Sequence, residues 1–448
     1  MPRLRCPRCN SILYAEHGFS WSIDNTMKGI WRFRSLLPSF KVYNTLGEAF
    51  TPLIESKNIS KELGLKNLYF KDEGRNPTGS FRDRAAALIT SHAYSNGFKE
   101  LVCATDGNMG ASLAAYAARL GLRVKAIVPR NADYGKIIMM KALGAEVIEH
   151  GETLDDVYGY VDTMCREKEL YNATSESNPL GIEGLKTIAY ELLLDLGKLP
   201  GTIIIPIGSG LTLYSIYYGL REMIEHGITQ SYPKLIGVQP CNNTYLAEKL
   251  GIKPRKCRGR KTVIIGLAYE FPPLAKEVIE AIKATKGTLV LVDNLDIIEA
   301  AKKLALYEGI FVEAAAAATV SALQQLVGEY LGRDETVVAL LTGHGLKSFN
   351  QYIIPSRRRR VSKVFFPSDT KYEIIRLLAK KPGIKGYTIW KELGLQISVQ
   401  AIYQHLNSLE KKGIIRPEYR MGSKVYYLTE KGARIAEILS ELIKLMEG

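Results

Sequence analysis

Between residue 49 and about residue 350, short apolar runs alternate with longer stretches whose apolar positions recur at helical spacing. NLYF (67–70), ELVCAT (100–105), RVKAIVP (123–129), AEVIEH (145–150), GTIIIPIG (201–208), KLIGVQP (234–240), GTLVLV (287–292) and TVVALLTG (336–343) have the length and residue content of buried strands. GASLAAYAARLG (110–121) and EGLKTIAYELLLDLG (183–197) are apolar at every third or fourth position and end on glycine, as helices do. Strand, helix and strand in repetition predict a doubly wound α/β body with mostly parallel sheets over residues 49–355.

The pattern changes after Pro355. SRRRR (356–360) opens a basic linker over 356–364. In the segment 365–448, KYEIIRLLAKKPG (371–383), TIWKELG (388–394) and SVQAIYQHLNSLEKKG (398–413) predict three helices. IIRPEYRMGSKVYYLTEKG (414–432) predicts two strands about a Gly-Ser turn, and ARIAEILSELIKLMEG (433–448) a last amphipathic helix. Three helices followed by a β-hairpin is the order of a winged helix-turn-helix domain. Residues 1–48 form an N-terminal arm that carries CPRC (6–9).

Composition narrows the class. The 448 residues, 46% hydrophobic and 24% charged, suit a soluble protein of two or three domains. No apolar run reaches the length of a membrane span, no leader pattern opens the chain, and a cytoplasmic protein is expected. Charge is unevenly spread. From Ser356 onward 19 Lys and Arg stand against 9 Asp and Glu, so this fifth of the chain holds +10 of the formal +14. That excess suits either a nucleic-acid-binding appendage or a solvated basic tail. Six scattered cysteines fit a reducing compartment and buried small side chains. Cys6 and Cys9 make half of a zinc ribbon; with His17 as a conceivable third ligand the set stays short of four, so no metal is expected.

The candidate chemistry gathers in a few blocks. KDEGRNPTGSFRDR (71–84), ATDGNMGASLAAYAA (104–118), NPLGIEGLKTIAYE (178–191), PIGSGLTLYSIYYG (206–219), GIFVEAAAAA (309–318) and LTGHGLK (341–347) occur in that order. Gly208, Ser209, Gly210, Leu211 and Thr212 follow a predicted strand and open a predicted helix, an arrangement whose backbone N–H groups favour an anion. A tight turn that binds nothing would use the same glycines.

Over residues 30–350 these blocks resemble threonine synthase, among the fold-type II pyridoxal-phosphate enzymes with a two-subdomain body like the tryptophan synthase β chain. The resemblance implies that the 208–212 loop holds the cofactor phosphate, that Asn108 faces the ring oxygen and that Thr342 faces the pyridine nitrogen. It also implies Thr105, Asn108, Ser112 and Gly181 as substrate-binding positions. Arg82 stands where the family has the lysine that attaches the cofactor. A guanidinium stays protonated and is no amine nucleophile, so pyridoxal phosphate is expected without a covalent link, if held at all. Lys71 matches an ordinary family position. Gly181 replaces an arginine for the substrate phosphate, and Glu176 brings a carboxylate beside it.

The segment 365–448 resembles PadR-like winged-helix repressors. That resemblance implies Ser398, Gln400, Tyr403, Gln404 and Asn407 at base edges and Arg420 and Lys424 on the wing against phosphates. Together these readings predict a DNA-binding transcriptional regulator, dimeric, whose inactive threonine synthase-like body senses an amino-acid-like or phosphorylated ligand. The alternative is a pyridoxal-phosphate-dependent lyase acting on an amino acid or phospho-amino acid, with a regulatory C-terminal domain.

Overall fold

The computed structural model describes residues 2–253, 257, 264–348, 370–393, 399–420 and 423–437. The chain divides into two compact units, Met1–Ile354 and Pro355–Gly448. The first contains ten strands among the described residues: β1 (Leu53–Glu55), β2 (Asn67–Asp72), β3 (Glu100–Ala104), β4 (Arg123–Val128), β5 (Glu146–Glu149), β6 (Tyr171–Asn172), β7 (Thr202–Pro206), β8 (Lys234–Pro240), β9 (Thr288–Val292) and β10 (Thr336–Leu341). A six-stranded sheet runs β1-β2-β10-β7-β8-β9, parallel except for β1. A four-stranded sheet runs β5-β4-β3-β6, parallel throughout. The chain leaves the larger sheet after β2, builds the smaller one, and returns at β7. Two α/β subdomains result.

All eight predicted strands are present. β3, β7, β8, β9 and β10 are buried almost throughout, as the five buried residues of Thr202–Pro206 show, because helices cover the sheets, whereas the edge strand β5 has no buried residue. The pattern missed β1 and β6, which have three and two residues. Helix Pro179–Leu196 starts with Asn178 accepting from the Leu180 N–H and with proline in its first turn. It crosses helix Arg82–Ser95 closely: a Cβ on Gly184 would lie 2.6 Å from the carbonyl oxygen of Arg84.

The N-terminal arm is part of this body. Trp31, Phe33 and Leu36 are fully buried in the main core. His17 is not placed for a metal. Its Nε2 lies 3.1 Å from Glu183 and its Nδ1 2.8 Å from the Gly18 carbonyl, while Lys186 joins Glu183 to Glu222 behind it. Burial and the Lys186 ammonium, 3.0 Å from Nε2, oppose the charge on His17, but Glu183 outweighs them and the imidazole pKa rises. A raised histidine pKa adds stability that is fully present below about pH 6.5, the unfolded value, and is lost as pH rises through the folded value. Denaturation midpoints of the native chain and of His17→Gln should therefore converge as pH is raised from 6 to 9; a gap constant across that range would exclude the charged pair. The cysteines also differ from expectation. Cys241 and Cys257 form a disulfide, with Cα atoms 5.9 Å apart, which brings together two side chains sixteen positions apart in sequence.

The second unit contains helices Thr370–Lys380, Gly386–Leu393 and Val399–Lys411, a two-residue strand at Ile384–Lys385, and a hairpin of Ile415–Arg420 with Ser423–Leu428. The small strand pairs with the second hairpin strand. Ile374, Ile389, Ile402, Leu406, Leu409 and Tyr426 make its core. The basic linker 356–364 and Ser398 lie outside the described residues. Gln400, Tyr403, Gln404 and Asn407 are exposed on Val399–Lys411. On the hairpin Arg420 approaches Glu418 at 3.8 Å and Lys424 lies 3.0 Å from Glu410, so carboxylates accompany both wing cations. No helix among the described residues is long and apolar enough to cross a membrane.

Candidate active site

The carboxyl ends of β3, β7 and β10 converge with the loop 76–81. That loop is tied to the end of β10: the Phe81 N–H donates to the Thr342 carbonyl at 3.1 Å, and the His344 N–H to the Gly79 carbonyl at 2.9 Å. Within it Thr78 donates its hydroxyl to Asp83 at 2.6 Å and meets Ser112 at 3.0 Å. Ser112 in turn donates to the Asn108 carbonyl, and the Thr105 hydroxyl accepts from the N–H groups of Gly107 and Gly110. Ser112 and Thr105 thus fix the turn that opens helix Asn108–Arg119, and Ser112 ties it to the loop 76–81.

Arg82 leaves this loop at the start of its helix. One guanidinium nitrogen donates to the Ser175 hydroxyl at 2.5 Å and the other to Glu176 Oε1 at 2.7 Å. Glu176 also accepts from Ser175 at 2.7 Å and from the Ser209 hydroxyl at 3.0 Å. Burial opposes ionisation of both groups, yet their attraction outweighs it: Arg82 is pushed up and Glu176 held down. Both stay charged. The carboxylate therefore sits on the second residue of the glycine-rich loop that precedes helix Leu211–Glu225. Gly210 has φ +90°, a left-handed conformation that favours glycine, and a Cβ on Gly208 would lie 2.1 Å from the Gly266 carbonyl oxygen. Leu211 and Thr212 begin the helix and are buried. Residues 266–269 lie over this loop, where Tyr269 bonds the Tyr158 hydroxyl at 2.8 Å.

Asn108, the first residue of its helix, donates to Glu313 at 2.8 Å. The Oδ1 of Asn108 is buried with no hydrogen-bond partner in the protein. Glu313 also pairs with Lys136 at 3.1 Å and receives the Ser348 hydroxyl at 3.3 Å. Lys347 donates to the Thr78 carbonyl at 2.7 Å, and its burial pushes the ammonium pKa down to about 8 despite Glu313 and Asp83 nearby. Thr342 is buried at the end of β10.

The sequence alone did not single out Ser175, Lys136, Lys347 or Glu313. Lys347 had a signal, lying in the quoted LTGHGLK block. Gly181 is near the site but is not an open position: a Cβ there would lie 2.3 Å from the Ser175 carbonyl oxygen. Lys71 is remote in function, fully buried and paired with Glu191 and Asp195, each at 2.8 Å.

The family model described as pyridoxal-phosphate dependent enzyme matches residues 45–343. The threonine synthase of Methanosarcina acetivorans is 35% identical over 76% of this chain and 87% of its own length. That of Methanocaldococcus jannaschii is 36% identical, over 71% of this chain and 80% of its own. Among solved structures, a pyridoxal 5'-phosphate-dependent aspartate racemase has TM-score 0.57 at 22% identity, covering 66% of this chain and 90% of that one. The cysteine synthase of Entamoeba histolytica has TM-score 0.57 at 22% identity, covering 68% and 89%. These two show the fold.

The comparisons correct one expectation. A DNA-binding regulator built on an inactive body does not stand against relatives named threonine synthase, 31–36% identical over 68–76% of the chain. The basic excess that prompted it resides in the appendage, where the described wing cations Arg420 and Lys424 are accompanied by carboxylates.

Proposed function

This chain belongs to the pyridoxal-phosphate dependent enzyme family, and from that premise we propose that it is a threonine synthase-like lyase acting on an amino acid or phospho-amino acid. The observation that carries the reading is Asn108. Its Oδ1 is buried with no partner in the protein, next to Glu313 and the 105–110 turn, and leaves an acceptor open to a donor on a ligand.

The family and the relatives imply pyridoxal phosphate. Asn108 and Thr342 suit its ring and the 208–212 cradle its phosphate, while position 82 offers no amine for a covalent link. We therefore assign a cofactor held by noncovalent contacts. When bound, it supplies an electron sink for charge developing on an amino-acid substrate. The chain's own residues do the rest. Arg82 keeps a fixed positive charge at the cradle, Glu313 orients Asn108, and Lys347 Nζ can take up or release a proton near pH 8. Residues 266–269 and the Tyr158–Tyr269 pair shield the cradle from water.

The helix, strand, helix, helix and hairpin of the second unit support its reading as a winged helix-turn-helix domain with a regulatory role. The test of function is turnover by the full chain on a panel of amino acids and O-phospho-amino acids with added pyridoxal phosphate. Activity is expected to fall at least tenfold on desalting and to return when the cofactor is restored. Absence of turnover across the panel at saturating cofactor overturns the lyase reading; a visible absorbance band that survives desalting overturns noncovalent binding.

A further inference from the structure

The glycine-rich loop already bonds an anion through its Ser209 hydroxyl, and that anion belongs to the protein. Glu176 is 9% exposed, and its two carboxylate oxygens accept from Ser175, Ser209 and Arg82. Ser209 lies on the loop that the helix Leu211–Glu225 follows, where N–H groups and the helix dipole favour negative charge. Arg82 is a planar fork suited to a carboxylate or a phosphate. Two anions cannot share Ser209 and Arg82 without strong repulsion, because the surroundings are buried and screening is weak.

We propose that Glu176 is a displaceable internal ligand of the cradle, and that a phosphate-bearing molecule enters by exchange: its phosphate takes over the Ser209 hydroxyl and the Arg82 guanidinium while Glu176 is released. Arg82 then becomes the clamp on the incoming phosphate. The carboxylate sets how strongly the cleft discriminates against phosphate. This rests on the reading of the cleft as a cofactor site, but its test reads binding alone, so a catalytically silent protein would leave the outcome unchanged.

The test is calorimetric titration of the full chain with pyridoxal phosphate, with pyridoxal lacking the phosphate, and with inorganic phosphate. Glu176→Gln removes the competing charge and keeps the shape. It should bind pyridoxal phosphate and inorganic phosphate at least tenfold more tightly than the native chain, with pyridoxal unchanged. Arg82→Gln should weaken both phosphate-bearing probes at least tenfold and again leave pyridoxal unchanged. Glu176→Ser provides the same reading should the glutamine variant fail to fold, since a small hydroxyl also vacates the charge. Unaltered phosphate affinity in the folded Glu176 variants overturns the proposal. So does an equal gain for pyridoxal and pyridoxal phosphate, which would mean a loosened cleft.

Discussion

Arg84→Met should destabilise the body by roughly 3–5 kcal/mol, the range found when one partner of a buried ion pair is removed. Arg84 is fully buried and donates two parallel bonds to Glu73, each 2.7 Å, and two to Glu191 at 2.5 and 2.9 Å. Lys71 adds a second cation 2.8 Å from Glu191 and donates to the Thr51 carbonyl at 2.7 Å. The cluster therefore joins β2, the turn after it and the helices Arg82–Ser95 and Pro179–Leu196. Methionine would fill the space but leave the buried Glu73 without its cation and Glu191 with Lys71 alone. Lysine could not serve both carboxylates, because it lacks the fork. Burial alone would raise the Glu191 pKa; Arg84 and Lys71 outweigh it and hold the carboxyl down to about 2. A depressed carboxylate contributes stability that is present above its unfolded value near 4.5 and is lost as pH falls toward 2. Urea midpoints at pH 7 and pH 3 check both statements. A loss under 1 kcal/mol in Arg84→Met at pH 7 would remove the cluster from its structural role.

That cluster also marks where the sequence stops being informative. KDEGRNPTGSFRDR is recognisable as an attachment-loop block, in which the sequence singles out Arg82 and, as an ordinary position, Lys71. The structure instead assigns Lys71, Glu73 and Arg84 to a buried clamp, closed by Glu191 on a helix 107 positions beyond Arg84. Spacing along a chain does not report such a partner. The same limit applies to Arg82 and Glu176, which are 94 residues apart. Each was singled out from the sequence, one as a missing lysine and one as a misplaced carboxylate, but their pairing depends on how the start of helix Arg82–Ser95 meets the 174–177 turn. The strands were more legible, because four to eight residues of largely apolar content bounded by turns have few other fates. Leu53–Glu55 and Tyr171–Asn172 were too short to register, and their pairing with β2 and β3 comes from tertiary context.

Gly181 offers a prediction in which the sign itself decides. The sequence places it where relatives of this kind are expected to carry an arginine for a substrate phosphate, which suggests that arginine could simply be put back. The backbone says otherwise. Gly181 lies in the first turn of helix Pro179–Leu196, and a Cβ would come within 2.3 Å of the Ser175 carbonyl oxygen and 3.1 Å of its carbon. Neither atom belongs to a flexible side chain. The 174–177 turn is pinned by the Ser177 N–H on the Thr174 carbonyl and by the Leu4 N–H on the Ser177 carbonyl, at 2.9 Å each. In an unobstructed helix, alanine for glycine would stabilise by roughly 0.5–1 kcal/mol. Here the enforced shift should exceed that gain, so Gly181→Ala should destabilise, by about 2–3 kcal/mol if the overpacking lies at the upper end of the usual range. Gly181→Arg should cost at least as much and create no anion clamp, because displacing Ser175 also displaces Glu176 and the end of Arg82. Guanidinium midpoints for the two variants measure the cost, and phosphate titration of Gly181→Arg measures the clamp. A stabilised Gly181→Ala would show that the turn yields to a side chain, and an arginine at that position would then be sterically available to the site.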